Sequence, residues 1–254
     1  MTHPERLLSR LDSIAAALRD EPTGLGLLAL GSVGHEVHRL DDFSDLDFFA
    51  IVEKGSKEDY LADLSWLQKE EELVYVFRNT PDGFKLLYAD GVYAEMAIFE
   101  LDELVNIPYA PGRIIYQREG IDIPVESSIP LPPPLHVNLN YELNELLTNL
   151  LVGLLRDHRG EKVAAHFLIQ QIAVERYFKI RRSFDQPVRH DVDRYAVHRR
   201  LEVHYPDLVD KLPHLLPGIE KNKEAAQTLL QLVRSRWNVS PTLVAAIERE
   251  LKRV

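Results

Sequence analysis

The chain has 254 residues, 45% apolar, 8% aromatic and 28% charged, with no cysteine and a formal charge of −10. Such a chain suits one large or two modest globular domains and is too apolar to be disordered or collagen-like. No apolar run approaches the ~18 residues of a membrane span, and the lack of cysteine excludes disulfides and thiolate zinc sites. The charge is uneven: residues 1–130 hold 25 acidic and 11 basic side chains, a balance of −14, and residues 131–254 hold 15 and 19, a balance of +4. A mostly acidic surface repels the phosphate backbone, so a nucleic acid is not the expected partner. Residues 1–22 are charged throughout and lack the apolar stretch of a signal peptide; a cytoplasmic protein without a membrane partner is expected.

In chain order, helical periodicity over Pro4–Asp20 is followed by an apolar strand at Leu25–Leu30, a polar loop and a second strand at Leu46–Val52. A helix is expected over Lys57–Glu72, then strands at Leu73–Phe77, Phe84–Ala89 and Val92–Phe99. A two-residue Asp90-Gly91 turn is expected between the last two. A helical turn at Leu101–Val105 and a short strand at Arg113–Tyr116 close this half. Five prolines and two serines in residues 123–136 then mark a linker. Beyond it the period becomes helical. Leu139, Leu143, Leu146, Leu147, Leu150, Leu154 and Leu155 form one stripe, and Val163, Phe167, Val174 and Phe178 start a second after Arg159-Gly160. Further helices fit Val192–His204, Ile219–Trp237 and Pro241–Lys252. The division expected is 1–122, 123–136 as linker, and 137–254 as a helical bundle.

Gly24-x-Gly26-x-x-Ala29 has the spacing of a dinucleotide fingerprint but lies inside the apolar run, not in a strand-to-helix turn, so it is read as strand. Gly31-Ser32 is better placed. It follows a strand and opens a loop whose backbone N–H groups and hydroxyl suit a phosphate, or make only a turn. Ser44-Asp45-Leu46-Asp47-Phe48 sets two carboxylates at i and i+2 on one face of a strand start, and such a pair needs either solvent or a cation between its charges. Magnesium, held by one or two carboxylates plus substrate phosphates, is one answer; an ordinary acidic strand end is the other. Glu95 lies in the apolar strand Val92–Phe99 on the face of Tyr93 and Ala97, where it either joins the aspartates or occupies a solvated hairpin face.

Leu30-Gly31-Ser32, then Ser44-Asp45-Leu46-Asp47-Phe48, with a third carboxylate on a later strand, resembles the nucleotidyltransferase superfamily of polymerase beta and the antibiotic nucleotidyltransferases. Gly91–Asp102, Ile107-Pro108, Arg113-Ile114-Ile115-Tyr116 and Arg159-Gly160-Glu161 further resemble, in order, the lincosamide nucleotidyltransferases. The resemblance implies a mixed α/β (α+β) sheet flanked by helices, joined to a C-terminal all-α bundle. It implies a catalytic domain in 1–122 and a substrate- or nucleotide-binding domain in 137–254. It makes Gly31, Ser32 and Ser44 nucleotide-binding residues, and Asp45 and Asp47 magnesium ligands. Glu95 becomes the third carboxylate, as ligand or general base. Two magnesium ions would assist transfer of AMP from ATP to a hydroxyl of a small molecule, antibiotics included.

Two departures bear on the acceptor. The loop between Ser32 and Asp45 is slightly longer and carries His35, His38, Asp41 and Asp42, and Asp47 stands where some relatives have Glu. His35 and His38 are less suited to a hard-metal site than the acids beside them. Arg176, Lys179, Arg181, Arg182, Arg189, Arg194, Arg199 and Arg200 either present cations to pyrophosphate or, for most of them, pair with Glu175, Asp185, Asp191 and Asp193. Tyr141, Tyr177 and Tyr195 suit ring stacking or helix packing equally, and His166 reads as a hydrogen-bonded core or edge histidine. Asn238-Val239-Ser240 reads as a loop and helix cap. A non-catalytic antitoxin-like nucleotide-binding module and a nucleic-acid end nucleotidyltransferase are the competing functional readings.

Overall fold

The computed structural model describes residues 1–129, 137–189, 196 and 198–253. The chain divides into two compact units, Met1–Leu131 and Pro132–Val254.

The first unit opens with α1 (His3–Asp20), which a capping box begins. The Thr2 hydroxyl accepts the Glu5 N–H at 3.3 Å and the Glu5 carboxylate accepts the Thr2 N–H at 2.7 Å. Its apolar stripe of Leu7, Leu11, Ile14 and Leu18 is fully buried against the sheet. Six strands form that sheet among the described residues: β1 (Gly24–Leu30), β2 (Leu46–Val52), β3 (Leu73–Arg78), β4 (Gly83–Tyr88), β5 (Tyr93–Glu100) and β6 (Arg113–Gln117). Their spatial order is β3-β4-β5-β2-β1-β6, with β2 and β5 parallel and every other neighbouring pair antiparallel, so the sheet is mixed as expected.

The central strands are covered on both faces, which is why β1 reads as a continuous apolar run rather than an alternation. Leu27, Ala29, Phe48, Ala50, Met96 and Ile98 face the α1 side. Leu25, Leu28, Ile51 and Phe99 face the other, under Leu104, Tyr109 and Ile123. That second cover lies over the ends of β2 and β5 distant from Asp47 and Glu95, and these two carboxylates stay half-buried.

Two local expectations are corrected. The helix over Lys57–Glu72 is broken into α2 (Lys57–Ala62) and a 3₁₀ turn at Ser65–Gln68. The Asp63 side chain accepts the Ser65 N–H at 2.8 Å, giving the backbone a partner that competes with helix. The β4–β5 loop has three residues rather than two. Tyr88 N–H bonds to Val92 O, Gly91 N–H bonds to Tyr88 O, and Gly91 takes φ +86°, the left-handed position of a three-residue hairpin.

The second unit is helical: α3 (Leu139–His158), α4 (Lys162–His166), a π-helical stretch at Phe167–Ala173, α5 (Val174–Phe184), α6 (Leu201–His204), α7 (Leu212–Leu215), α8 (Asn222–Arg234) and α9 (Pro241–Lys252). The stripe on α3 is core as expected, except that Leu155 is exposed. The second stripe is half right: Val174 and Phe178 are buried, Val163 and Phe167 are exposed. The wider π turn rotates the buried face between the two pairs, onto Ala165, Ile169 and Ala173. Gly153 permits this packing, because a Cβ there would stand 2.5 Å from Ile169 Cγ1. A polar network runs through the core: Asn222 donates to Asp157 at 3.0 Å, Lys162 Nζ to the same carboxylate at 3.0 Å, and Gln170 to Asn222 at 2.8 Å. Half of the expected linker, 130–136, lies outside the described residues, as do 192–195 and 197 of the expected Val192–His204 helix. In the described part of that segment only Leu201–His204 is helical, because Arg200 takes the left-handed φ of +56° just before it.

Candidate active site

The pairing of β2 with β5 puts Asp47 opposite Glu95, in register on adjacent parallel strands. Since side chains alternate along each strand, both carboxylates share a face with Phe49 and Ala97. They line one cavity of about 320 Å³, together with Leu30, Phe49, Asn79 and Thr80. That size falls at the lower end of small-molecule sites.

Glu95 is held from its own sheet. Lys85 Nζ lies 3.0 Å from its Oε1, and the Tyr93 hydroxyl donates to the same oxygen at 2.9 Å. The Glu95 carboxylate raises the Lys85 pKa, by hydrogen bond and by charge, so the ammonium is fully charged at neutral pH. Burial first, and Glu95 second, push the Tyr93 phenol above its ordinary value, so it stays a donor. Lys85 opposes Glu95 because of the three-residue hairpin loop; a two-residue loop would have set Leu86 there. Lys85, Asn79 and Thr80 escaped the reading of the sequence. For Lys85 the available signal was Gly91, whose left-handed preference marks the longer loop.

Gly31 stands at the end of β1 with φ +55°, and a Cβ at that position would lie 3.1 Å from Asp47 Oδ2. Glycine thus serves both the left-handed turn and close approach to the carboxylate. Gly31 and Ser32 form a 3₁₀ turn, Gly31–Val33, whose first carbonyl accepts the N–H groups of Gly34 and Glu36, each at 3.1 Å. Arg113 on β6 pins the turn by donating to Val33 O at 2.8 Å. Asp45 is half-buried just before β2. Ser44 is engaged locally: its hydroxyl accepts the Asp41 N–H at 3.0 Å and donates to Asp41 Oδ1 at 3.2 Å, closing the turn that leads to Asp45. Asp41, Asp42 and Phe43 are exposed on this turn, Phe43 at 94%.

Among the described residues no group of three or more His, Cys, Asp or Glu side chains stands close enough to enclose a metal ion. The convergence of Asp45, Asp47 and Glu95 into a protein-only cage is therefore not found, and Glu95 is drawn to Lys85 and Tyr93 instead. The hard carboxylate oxygens of Asp47 and Glu95 on one face still fit a magnesium ion that takes its remaining ligands from phosphates and water.

The cations of the second unit mostly have partners within it. Arg176 pairs with Glu142 at 2.9 Å and Lys179 with Glu175 at 2.6 Å. Arg181, buried, bridges Asp185 and Asp207, and Arg182 donates to Ala196 O. Arg189 is exposed; Asp191, Asp193, Arg194 and Tyr195 lie outside the described residues. Tyr177 is buried in the core, Tyr141 is exposed, and the half-buried His166 has no hydrogen-bond partner at Nδ1, contrary to expectation.

No protein-family model and no curated protein sequence matches this chain. Among solved structures it is similar to an aminoglycoside 6-adenyltransferase from Bacillus subtilis, at 12% identity over 95% of this chain and 90% of that one, with TM-score 0.32. It is also similar to a nucleotidyltransferase-like protein from Exiguobacterium sibiricum, at 14% identity over 96% and 77%, with TM-score 0.33. A third, a STING-associated CdnE c-di-GMP synthase from Capnocytophaga granulosa, matches at 13% identity over 97% and 81%, with TM-score 0.30. Likeness at this level assigns no activity to the chain, and no helix among the described residues is long and apolar enough to cross a membrane.

Proposed function

We propose that this chain is a magnesium-dependent nucleotidyltransferase that moves AMP from ATP to a hydroxyl of a small molecule. The observation that carries the reading is the in-register Asp47–Glu95 pair on one cavity, with the left-handed Gly31 turn against the Asp47 carboxylate. Asp45 and Asp47 would hold magnesium, with Glu95 as a third ligand or as the base that takes the acceptor's proton. Magnesium, when bound, neutralises triphosphate charge and favours loss of pyrophosphate. The N–H groups of the Gly31–Val33 turn, stiffened by Arg113, are suited to phosphate oxygens. Leu30 and Phe49 supply apolar wall, and Asn79 and Thr80 supply hydrogen bonds for orientation. The excess of acid in residues 1–130, with Asp41 and Asp42 exposed beside Asp45, favours an acceptor that combines hydroxyls with a basic nitrogen, as aminoglycosides and lincosamides do.

A second reading, nucleotide binding without transfer, draws support from the Lys85–Glu95 ion pair, which already neutralises the third carboxylate. One experiment separates the two. Purified protein is incubated with ATP and magnesium against aminoglycosides, lincosamides, neutral sugars, nucleosides and RNA 3′ ends, and mass gain is read by spectrometry. In parallel, a non-hydrolysable ATP analogue is titrated calorimetrically. An adenylylated small molecule is expected. Binding without product selects the second reading, product on RNA alone overturns the acceptor class, and no binding of the analogue with or without magnesium overturns both readings.

A further inference from the structure

β3 is one of the two edge strands of the sheet, and its residues are unlike those of its inward neighbour. Val74, Tyr75, Val76 and Phe77 are exposed at 55, 53, 44 and 50%, whereas Phe84, Leu86 and Tyr88 on the adjoining β4 are buried. Edge strands are ordinarily blunted by lysine, proline or an inward-pointing charge, because their open N–H and C=O groups template further pairing. The run Val74–Phe77 contains none of these. A bulge between Leu73 and Tyr75 confines regular geometry to Tyr75–Arg78, which pairs with β4 without interruption.

Charge decides what lies against this edge. Glu70, Glu71 and Glu72 precede the strand and Arg78 ends it. Antiparallel self-pairing sets the acidic end of each strand beside the basic end of the other, twice. Parallel stacking sets acid on acid. A strand that carries both complementary charges at its own two ends is self-complementary, and a two-fold arrangement closes after two chains.

We infer that a second copy of this chain pairs antiparallel along β3, centred on Val76, and continues the sheet across a two-fold axis. In that register Tyr75 of each chain lies opposite Phe77 of the other on one face of the sheet, two aromatic cross-strand pairs. A single short strand pair is at the small end of specific interfaces, so the association is concentration-dependent. This proposal stands apart from the proposed activity, since β3 contributes none of the carboxylates.

Sedimentation velocity on the full chain from about 1 µM to about 1 mM tests it, a range that spans weak association. The wild type is expected to pass from monomer to dimer, with β3 amides gaining hydrogen-exchange protection over the same range. Tyr75→Lys and Val76→Pro are each expected to weaken association at least tenfold, the first by charge on the edge and the second by removing a pairing N–H. Should Val76→Pro lose its circular dichroism spectrum, Tyr75→Lys decides alone, because that side chain is exposed. Arg78→Glu is expected to weaken the dimer, and Glu72→Arg added to it is expected to recover association. A chain that stays monomeric throughout, a dimer indifferent to Tyr75→Lys, or open-ended oligomers would each overturn the inference. An Arg78→Glu variant that dimerises as well as wild type overturns the antiparallel register.

Discussion

Asp47 and Glu95 meet because β2 and β5 run parallel and in register, so one residue step on either strand would turn a carboxylate into the opposite core. Asp45→Asn and Asp47→Asn are each expected to reduce adenylyl transfer by at least ~10²-fold, since removing a ligand charge weakens stabilisation that matters most in the transition state. Both sites are half-buried and polar, so unfolding temperature should move by no more than about 4 °C. Unchanged magnesium-dependent nucleotide binding in both variants would remove them from the site. Glu95→Gln separates two roles. As a base, Glu95 contributes ~10²–10⁴-fold to turnover and little to affinity; as a ligand, its loss weakens affinity as well. Full activity in this variant would return Glu95 to a structural partner of Lys85 and Tyr93.

At the scale of elements, the turn after β1 and the core of the helical unit make separate predictions. Gly31→Ala asks an L-residue to hold φ +55° with its Cβ 3.1 Å from Asp47 Oδ2. A stability loss of about 1–2 kcal/mol is expected by urea denaturation, together with weaker nucleotide binding by calorimetry, because the turn and the carboxylate share that space. In the helical unit, burial acts to raise the Asp157 pKa, but hydrogen bonds from Asn222 and Lys162, with the charges of Lys162 and Lys223, outweigh it and hold the carboxyl below its ordinary value. The unfolded chain therefore takes up this proton at higher pH than the folded one. The stabilisation is fully present above the unfolded Asp value of about 3.9 and disappears as pH falls through the lower folded value. Asp157→Asn should lower stability at pH 7 and flatten the acid limb of a stability–pH curve measured by chemical denaturation. An acid limb parallel to that of wild type would show that this network does not govern acid stability.

For the whole molecule, the −14 balance of residues 1–130 makes a prediction about substrate encounter. A cationic acceptor is drawn toward an acidic unit, and the attraction is screened by salt over a Debye length of about 8 Å at physiological ionic strength. Within the proposed activity, kcat/KM for a cationic acceptor should fall as salt is raised from low to physiological concentration, while that for a neutral sugar changes little. Equal salt sensitivity for both acceptors would assign Asp41 and Asp42 to a solvated loop.

The sequence alone determined the strand and helix types of most elements and the Asp45, Asp47 and Glu95 shortlist, because alternation, helical stripes and the cost of a carboxylate in an apolar strand are local signals; the mixed-sheet class came from the family resemblance of its motifs. Tertiary structure decided what depends on pairing. The three-residue loop at Gly91 put Lys85 rather than Leu86 opposite Glu95, and the parallel β2–β5 contact joined residues 47 and 95, which no local pattern links. The π turn at Phe167–Ala173 rotated a stripe that 3.6-residue periodicity assigns to Val163 and Phe167, and Asp63 broke a helix that the apolar pattern continued. At Gly91 and Asp63 one residue's backbone or hydrogen-bond choice shifted register or phase, at Phe167–Ala173 one wider turn did so, and the β2–β5 pairing is long-range; periodicity, which counts residues at a constant step along one segment, has no means of registering any of these.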